Sequence, residues 1–285
     1  MQSLDKEQYK AQQCQQWDSI AAGWKKWWKT FEQGAQHVND RLIDLARVQP
    51  GHRVLDIATG IGEPAITAAR CVGPAGHVIA TDQAPQMIAI AMERAVELGF
   101  KNIKFEAIDA EKISFPEKSF DSVLCRWGLM FLPDIETALN RILRILVPNG
   151  RFAAAVWDIP QSVPLISLSF GIAHKMFNLQ PPSPGTPSIF GLANNALELA
   201  LTGAGFSDVQ TENVTVTFEF ASMDTFIQYY KDTAAPVVAL LKDKTAAQQE
   251  EFWKELAEAA GQYSSAIGLR IPNTAVCAVG MKQTL

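Results

Sequence analysis

The sequence predicts an α/β fold in which a mostly parallel sheet is flanked by helices. Between Gly51 and Trp157, short β-like apolar runs alternate with longer runs of helical period. Proline and glycine separate these runs, as in Gly73-Pro74 and Pro148-Asn149-Gly150. A chain of 285 residues with 48% hydrophobic and 19% charged side chains also has ample material for a core.

The predicted elements follow one another as strand and helix up to residue 157. Five strands are expected at 52–57, 77–81, 103–107, 122–126 and 151–157. The helices between them are expected at 64–72, 85–98 and 135–146. Two later β-rich runs, 207–220 and 275–281, bring the expected sheet to seven strands.

The remaining segments are expected to extend this single domain. Residues 1–47 are predicted to form a helical lid, 48–158 the core, and 159–193 a cap, because proline interrupts regular structure there. Residues 194–285 would complete the sheet, with a helical insertion at about 223–260.

Composition excludes several classes of protein. The apolar runs are far shorter than the ~18 residues of a membrane span, and the first residues are polar, so we expect neither a span nor a signal peptide. A net charge of −5 without long charge runs argues against nucleic-acid binding. Four separated cysteines and four histidines show no ligand spacing, which predicts reduced thiols, no metal site and a cytoplasmic location.

The stretch from Val54 to Pro64 is the most informative part of the chain. An apolar strand carries the carboxylate of Asp56 and then opens through Gly60 and Gly62 into a helix, where backbone N–H groups can meet a ligand. Residues 60–65 also fit the GxGxxA variant of the dinucleotide-binding fingerprint. This stretch alone therefore does not decide which cofactor is bound.

Three acids narrow the choice of cofactor. Asp56, Asp82 and Asp109 lie at the ends of three consecutive predicted strands, which share one edge of the sheet. A carboxylate at Asp56 would repel a pyrophosphate but attract an amine. The three together suit a cofactor with an amino-acid head, a ribose and an adenine, and without phosphate.

These motifs resemble those of class I S-adenosylmethionine-dependent methyltransferases, and are similar to the small-molecule group of ubiquinone/menaquinone biosynthesis (methyltransferase type 11). The resemblance rests on residues 54–62, 78–87, 108–111, 119–126 and 139–152. It implies a Rossmann-like fold, S-adenosylmethionine as cofactor, and transfer of its methyl group. Ala58 departs from the usual first glycine, and Asn149 from the usual Pro-Gly-Gly turn.

The resemblance also implies roles for individual residues. The methionine part would be held by Asp56 and by the backbone of Ala58, Thr59, Gly60 and Gly62, with Arg126 beside its carboxylate. The ribose and adenosine would be held by Asp82, Gln83, Met87, Asp109 and Ala110.

Tryptophans crowd into the first 28 residues of the chain. Trp17, Trp24 and Trp28 recur at helical spacing and form one apolar stripe. The stripe either packs on the core or covers the site as a substrate-facing lid, and both can hold. Further aromatic and apolar residues near the sheet edge are candidates for substrate contact: Trp127, Met130 and Trp157.

The predicted reaction is an in-line displacement that needs alignment more than a dedicated base. His174, His37 and Tyr229 are weak candidates for such a base. The apolar content of the cap and insertion favours a hydrophobic or aromatic acceptor, such as a quinone, polyketide, terpenoid or other specialised metabolite. Two alternatives are a nicotinamide-dependent oxidoreductase and a non-catalytic S-adenosylmethionine-binding relative. The protein is expected to be a monomer or homodimer.

Overall fold

The computed structural model describes residues 4–180 and 183–284, which form one α/β sheet with helices packed around it. The α-helices are α1 Lys6–Leu45, α2 Ala65–Val72, α3 Pro85–Glu97, α4 Ile135–Ile145, α5 Pro164–Phe177, α6 Ala196–Gly203, α7 Met223–Thr233, α8 Ala235–Lys242 and α9 Ala246–Ala260. The strands are β1 Arg53–Ile57, β2 His77–Asp82, β3 Ile103–Ala107, β4 Phe120–Arg126, β5 Leu146–Trp157, β6 Ser207–Phe220, β7 Ser264–Ser265 and β8 Gly268–Met281.

The strand order confirms the predicted mostly parallel sheet. Seven strands run in the order β3-β2-β1-β4-β5-β8-β6, and the two-residue β7 pairs with β8 beside them. The neighbours from β3 to β5 are parallel, whereas β8 is antiparallel to β5 and β6. The order reverses at β1, which lies between β2 and β4. Their carboxyl ends therefore open a crevice of the kind in which α/β sheets bind ligands.

Two strands are longer than the sequence pattern predicts. Strand β8 begins at Gly268 rather than at residue 275, because residues 269–275 pair with β6 despite Pro272. Strand β5 begins at Leu146 and includes the predicted turn, with a register shift opposite Phe120 and Ser122 and a left-handed Asn149 at φ 63°. Local turn residues are thus overridden by pairing with a neighbouring strand.

The predicted cap and insertion both contain regular helices. In the cap, α5 begins at Pro164, which suits a first helical turn, and ends before the left-handed Asn178. The predicted insertion at 223–260 consists of α7, α8 and α9, with Pro236 in the first turn of α8.

Helix α1 covers the sheet along 40 residues. Asp5 caps its start by accepting a hydrogen bond from the backbone N–H of Gln8 at 3.0 Å. Its second half is firmly buried, since Ala35, Val38 and Leu42 are 0% exposed. The part of the helix before Phe31 carries the tryptophans and extends over the carboxyl edge of the sheet.

The packing of α1 on α7 predicts a steric limit at Gly23. A Cβ there would lie 1.8 Å from the carbonyl oxygen of Asp232, which is backbone. We expect Gly23→Ala to lower the free energy of unfolding by about 3 kcal/mol, as in overpacked cores, measured by urea denaturation.

Gly171→Ala is the matched control, because Gly171 lies within α5 and a Cβ there meets nothing within 4 Å. Because alanine has a greater helix propensity than glycine, this substitution should raise the free energy of unfolding by about 1 kcal/mol. Equal effects of the two substitutions would contradict the close contact between α1 and α7.

Candidate functional site

A cavity of about 150 Å³, here called the edge cavity, lies where the strand order reverses. Most of the predicted cofactor residues line it: Ala58, Thr59, Gly60, Asp82, Gln83, Met87, Asp109, Ala110 and Arg126. Helix α1 closes it with Trp17, Trp24 and Phe31. Residues far apart in the sequence are therefore brought together as the strand-end pattern predicts.

Asp82 is fixed at the floor of the edge cavity by backbone donors. One carboxylate oxygen accepts from the N–H of Gly60 and the other from that of Ala84, each at 2.9 Å. Gly60 has a left-handed φ of 55°, and a Cβ there would project into open space. Burial raises the pKa of Asp82, although these hydrogen bonds oppose the shift. Each oxygen keeps a lone pair for a further donor, such as a ribose hydroxyl.

Asp56 and Gly62 lie behind the wall of the edge cavity rather than in its lining. Asp56 is 0% exposed and accepts a hydrogen bond from the Ala65 N–H at 3.0 Å, which places its carboxylate at the start of α2. Burial raises its pKa to about 8, while the Thr59 hydroxyl and Arg126 oppose the rise. Gly62 packs against α2 and α3. Asp56 and Gly62 therefore support the wall of the edge cavity and do not line it.

The charges of the edge cavity favour a cationic ligand over a pyrophosphate. Its described lining has four carboxylates, and three of them pair with a cation: Glu32 with Arg126, Glu63 with Arg94 and Asp109 with Lys10. Within the described residues, Asp82 has no salt-bridge partner. The start of α2, where a dinucleotide would place its phosphates, already carries a carboxylate.

Arg126 is held in a buried ion pair that the sequence did not reveal. Its two terminal nitrogens donate to the two carboxylate oxygens of Glu32 at 2.6 and 2.8 Å. Asn39 donates to the same carboxylate at 3.1 Å. Burial lowers the pKa of Arg126, but the ion pair with Glu32 more than offsets this and leaves the pKa above its usual value. The guanidinium therefore stays charged. The available signal in the sequence was an acidic residue, Glu32, four residues after Trp28 of the apolar stripe.

Asp109 is tied to the beginning of α1. Lys10 Nζ lies 3.0 Å from a carboxylate oxygen of Asp109 and 3.0 Å from one of Glu111. The other Asp109 oxygen accepts from the Glu111 N–H at 2.9 Å. The Lys10 side chain is only 10% exposed. Lys10 is thus a second residue of the site that strand-end patterns could not indicate.

A second cavity of about 180 Å³, here called the aromatic chamber, adjoins the edge cavity. The two share the side chains of Trp17, Trp24, Phe31, Trp127 and Phe131. The chamber is also lined by the predicted Met130, Trp157 and Tyr229 and by residues of α5 and α8. Its described lining contains no charged side chain and no histidine.

The other predicted residues lie elsewhere. Trp28 lines neither cavity, and Arg94 sits over its ring at 4.4 Å. His37 is exposed beside the Thr215 carbonyl, and His174 is exposed near the end of α5. Burial raises the pKa of Tyr229, which does line the chamber. The chamber lining described here therefore offers no base that ionises near neutral pH.

Comparison with known proteins identifies the central part of the chain. Residues 49–180 match a family model described as a methyltransferase domain. This part of the chain is therefore similar to a class I methyltransferase domain. The ubiquinone/menaquinone biosynthesis C-methyltransferase UbiE of Ectopseudomonas mendocina is 35% identical over 144 residues, which are 50% of this chain and 52% of that protein. The chain thus spans about half the length of the curated relatives it matches. Proteins of this class use S-adenosylmethionine, as the strand-end motifs imply.

Solved structures share the fold at low sequence identity. The YcgJ protein of Bacillus subtilis has a TM-score of 0.59 at 19% identity, covering 88% of this chain and 100% of that one. The [4+2]-cyclase SpnF has a TM-score of 0.56 at 19% identity, covering 88% and 82%. A cyclase among the neighbours shows that the fold alone does not fix the reaction.

Two kinds of feature are absent from residues 4–180 and 183–284. No helix in these ranges is long and apolar enough to cross a bilayer. Nor do these ranges contain a group of three or more His, Cys, Asp or Glu side chains placed to hold a metal ion.

The buried pair between α1 and β4 predicts a large effect of removing one charge. We expect Glu32→Gln to lower the free energy of unfolding by about 3 kcal/mol, because Arg126 would remain buried without its counter-charge. Urea denaturation at neutral pH measures the loss.

Glu219→Gln is the control for this prediction. Its carboxylate pairs with Arg270 at 2.7 Å, but both side chains are exposed, at 41% and 62%. Such surface pairs contribute at most about 1 kcal/mol. Losses of similar size in the two variants would show that the Glu32 pair does not anchor α1.

Proposed function

We propose that this protein transfers a methyl group from S-adenosylmethionine to a small, uncharged, hydrophobic or aromatic acceptor. The observation that carries the proposal is the pairing of two unlike cavities. The edge cavity is lined by carboxylates, and the adjoining aromatic chamber has no charged side chain in its described lining. A cationic methyl donor suits the first cavity and an uncharged acceptor suits the second.

The residues of the edge cavity fit the parts of this cofactor. Asp82 has the free lone pairs to accept the ribose hydroxyls, and Asp109 with Ala110 would border the adenine. The backbone from Ala58 to Gly60 would hold the methionine part, with the buried carboxyl group of Asp56 behind it. When bound, the cofactor supplies an electrophilic methyl group on a sulfonium. Its positive charge is compatible with the surrounding carboxylates.

The chain's own contribution is to position the acceptor and exclude water. Trp17, Trp24 and Phe31 of α1 lie over the junction of the two cavities. Holding the two reactants close and aligned accounts for much of the rate of a displacement reaction. Since the described lining of the chamber has no base that ionises near neutral pH, we propose that the acceptor nucleophile is reactive without one.

The finer identity of the acceptor is supported only by the relatives. UbiE is named a C-methyltransferase of ubiquinone and menaquinone biosynthesis, so a reduced quinone ring methylated at carbon is the first candidate. Polyketide, terpenoid and other specialised aromatic compounds also suit the chamber. The competing proposal is a reaction other than methyl transfer, since a [4+2]-cyclase is among the proteins that share the fold.

Calorimetry tests the cofactor part of the proposal. We expect S-adenosylhomocysteine to bind and NAD not to bind. Asp82→Asn should weaken S-adenosylhomocysteine binding about 10- to 100-fold, because hydrogen bonds to a charged acceptor are lost.

Asp121→Asn is the control, since Asp121 is the second residue of β4, at the opposite edge of the sheet, and accepts hydrogen bonds from Arg53. Binding of NAD with no binding of S-adenosylhomocysteine would overturn the proposal in favour of an oxidoreductase.

A panel of acceptors tests the chamber. We expect S-adenosylhomocysteine to be released with naphthols or hydroquinones, and not with the same rings carrying a sulfonate or a quaternary ammonium group. Placing an unpaired charge in an uncharged chamber costs several kcal/mol. Turnover that prefers the charged rings would contradict the proposed acceptor class.

A further inference from the structure

Two tryptophans that line both the edge cavity and the aromatic chamber have buried indole N–H groups without a partner among the described residues. Trp24 and Trp127 line both cavities, and the Nε1 atom of each is buried without a hydrogen-bond partner among the described residues. An indole nitrogen can only donate. Buried donors in folded proteins are nearly always paired, so two unpaired donors beside the same junction require an explanation.

The backbone and its neighbours fix the position of Trp127. Its φ is 57°, a left-handed conformation that is uncommon for a bulky residue, and its backbone N–H donates to the Ala155 carbonyl at 2.7 Å. Its ring stacks on Trp157 at 4.3 Å with an interplanar angle of 14°. The Arg126 guanidinium lies 4.9 Å from the ring centre. The indole is therefore held in place without a partner for its N–H.

Trp24 is held in a similar way on α1. Its ring meets Phe31 edge to face at 4.8 Å and lies 6.3 Å from the ring of Trp17. Trp27, three residues further along the helix, provides a comparison, because its Nε1 donates to an Asp232 oxygen at 2.7 Å. Trp27 thus has a protein acceptor for its N–H, whereas Trp24 has none among the described residues.

We propose that Trp24 and Trp127 donate hydrogen bonds to an oxygen of the methyl acceptor and so select acceptors that carry a hydroxyl or carbonyl group at the junction. This inference rests on the proposed function for the identity of the ligand as a methyl acceptor. The described chamber lining has no cationic side chain, and among its neutral donors outside the two tryptophans only the Tyr230 hydroxyl is likewise buried without a hydrogen-bond partner. The oxygen would therefore lie on, or next to, the atom that faces the edge cavity.

The test uses 1-naphthol and naphthalene as probes of the full chain saturated with S-adenosylhomocysteine. In a spectrum of ¹⁵N-labelled indole groups, 1-naphthol should move the Trp24 and Trp127 proton signals downfield, and naphthalene should not. Trp24→Phe and Trp127→Phe assign the two signals. By calorimetry, each variant should bind 1-naphthol about tenfold more weakly and naphthalene unchanged.

Trp28→Phe is the matched control, since Trp28 lies on the same helix and lines neither cavity. It should leave both affinities unchanged, and thermal unfolding checks that every variant folds. Equal shifts with both probes, unchanged 1-naphthol affinity in both junction variants, or no 1-naphthol binding would each overturn the inference. Shifted indole signals without turnover of any acceptor would overturn the proposed function and leave the oxygen site standing.

Discussion

The buried ion pair between Arg126 and Glu32 is the interaction on which the site depends. Neither charge is stable in the interior alone, so the end of β4 and the middle of α1 must meet for either to be accommodated. The pair is bidentate, and Asn39 donates a further hydrogen bond to Glu32. Together these contacts fix the position of α1 on the sheet and its rotation about its own axis. The walls that α1 contributes to both cavities follow from that placement.

The two cavities differ in the charge of their described linings. Carboxylates are concentrated at the strand ends, where Asp82 is fixed by backbone N–H groups and Asp56 occupies the start of α2. The adjoining chamber is bounded by rings, and charge is absent from its described lining. A boundary of aromatic side chains separates these environments, so a reaction at their junction would proceed where water is scarce.

The sequence predicted those features that depend on local order along the chain. Alternating strands and helices place Asp82 and Asp109 at neighbouring strand ends, and both line the edge cavity. The roles of Glu32 and Lys10 could not be predicted from a local pattern. Glu32 pairs with Arg126, 94 residues away, and Lys10 pairs with Glu111, 101 residues away. Helical spacing grouped Trp24 with Trp28, but it could not show that Arg94 covers one while the other reaches the junction. The extra length of β8 depended on its pairing with β6.

The placement of α1 has a consequence for how such proteins diversify. The helix lies outside residues 49–180, the part that matches the methyltransferase family, yet it forms walls of both cavities. Helices α7 and α8, which complete the chamber, also lie outside that part. Under the proposed function, substitutions in these flanking segments would change the preference for the acceptor and leave the strand ends that hold the cofactor unchanged. Chimeras that exchange only those flanks are the natural units for redesigning this scaffold.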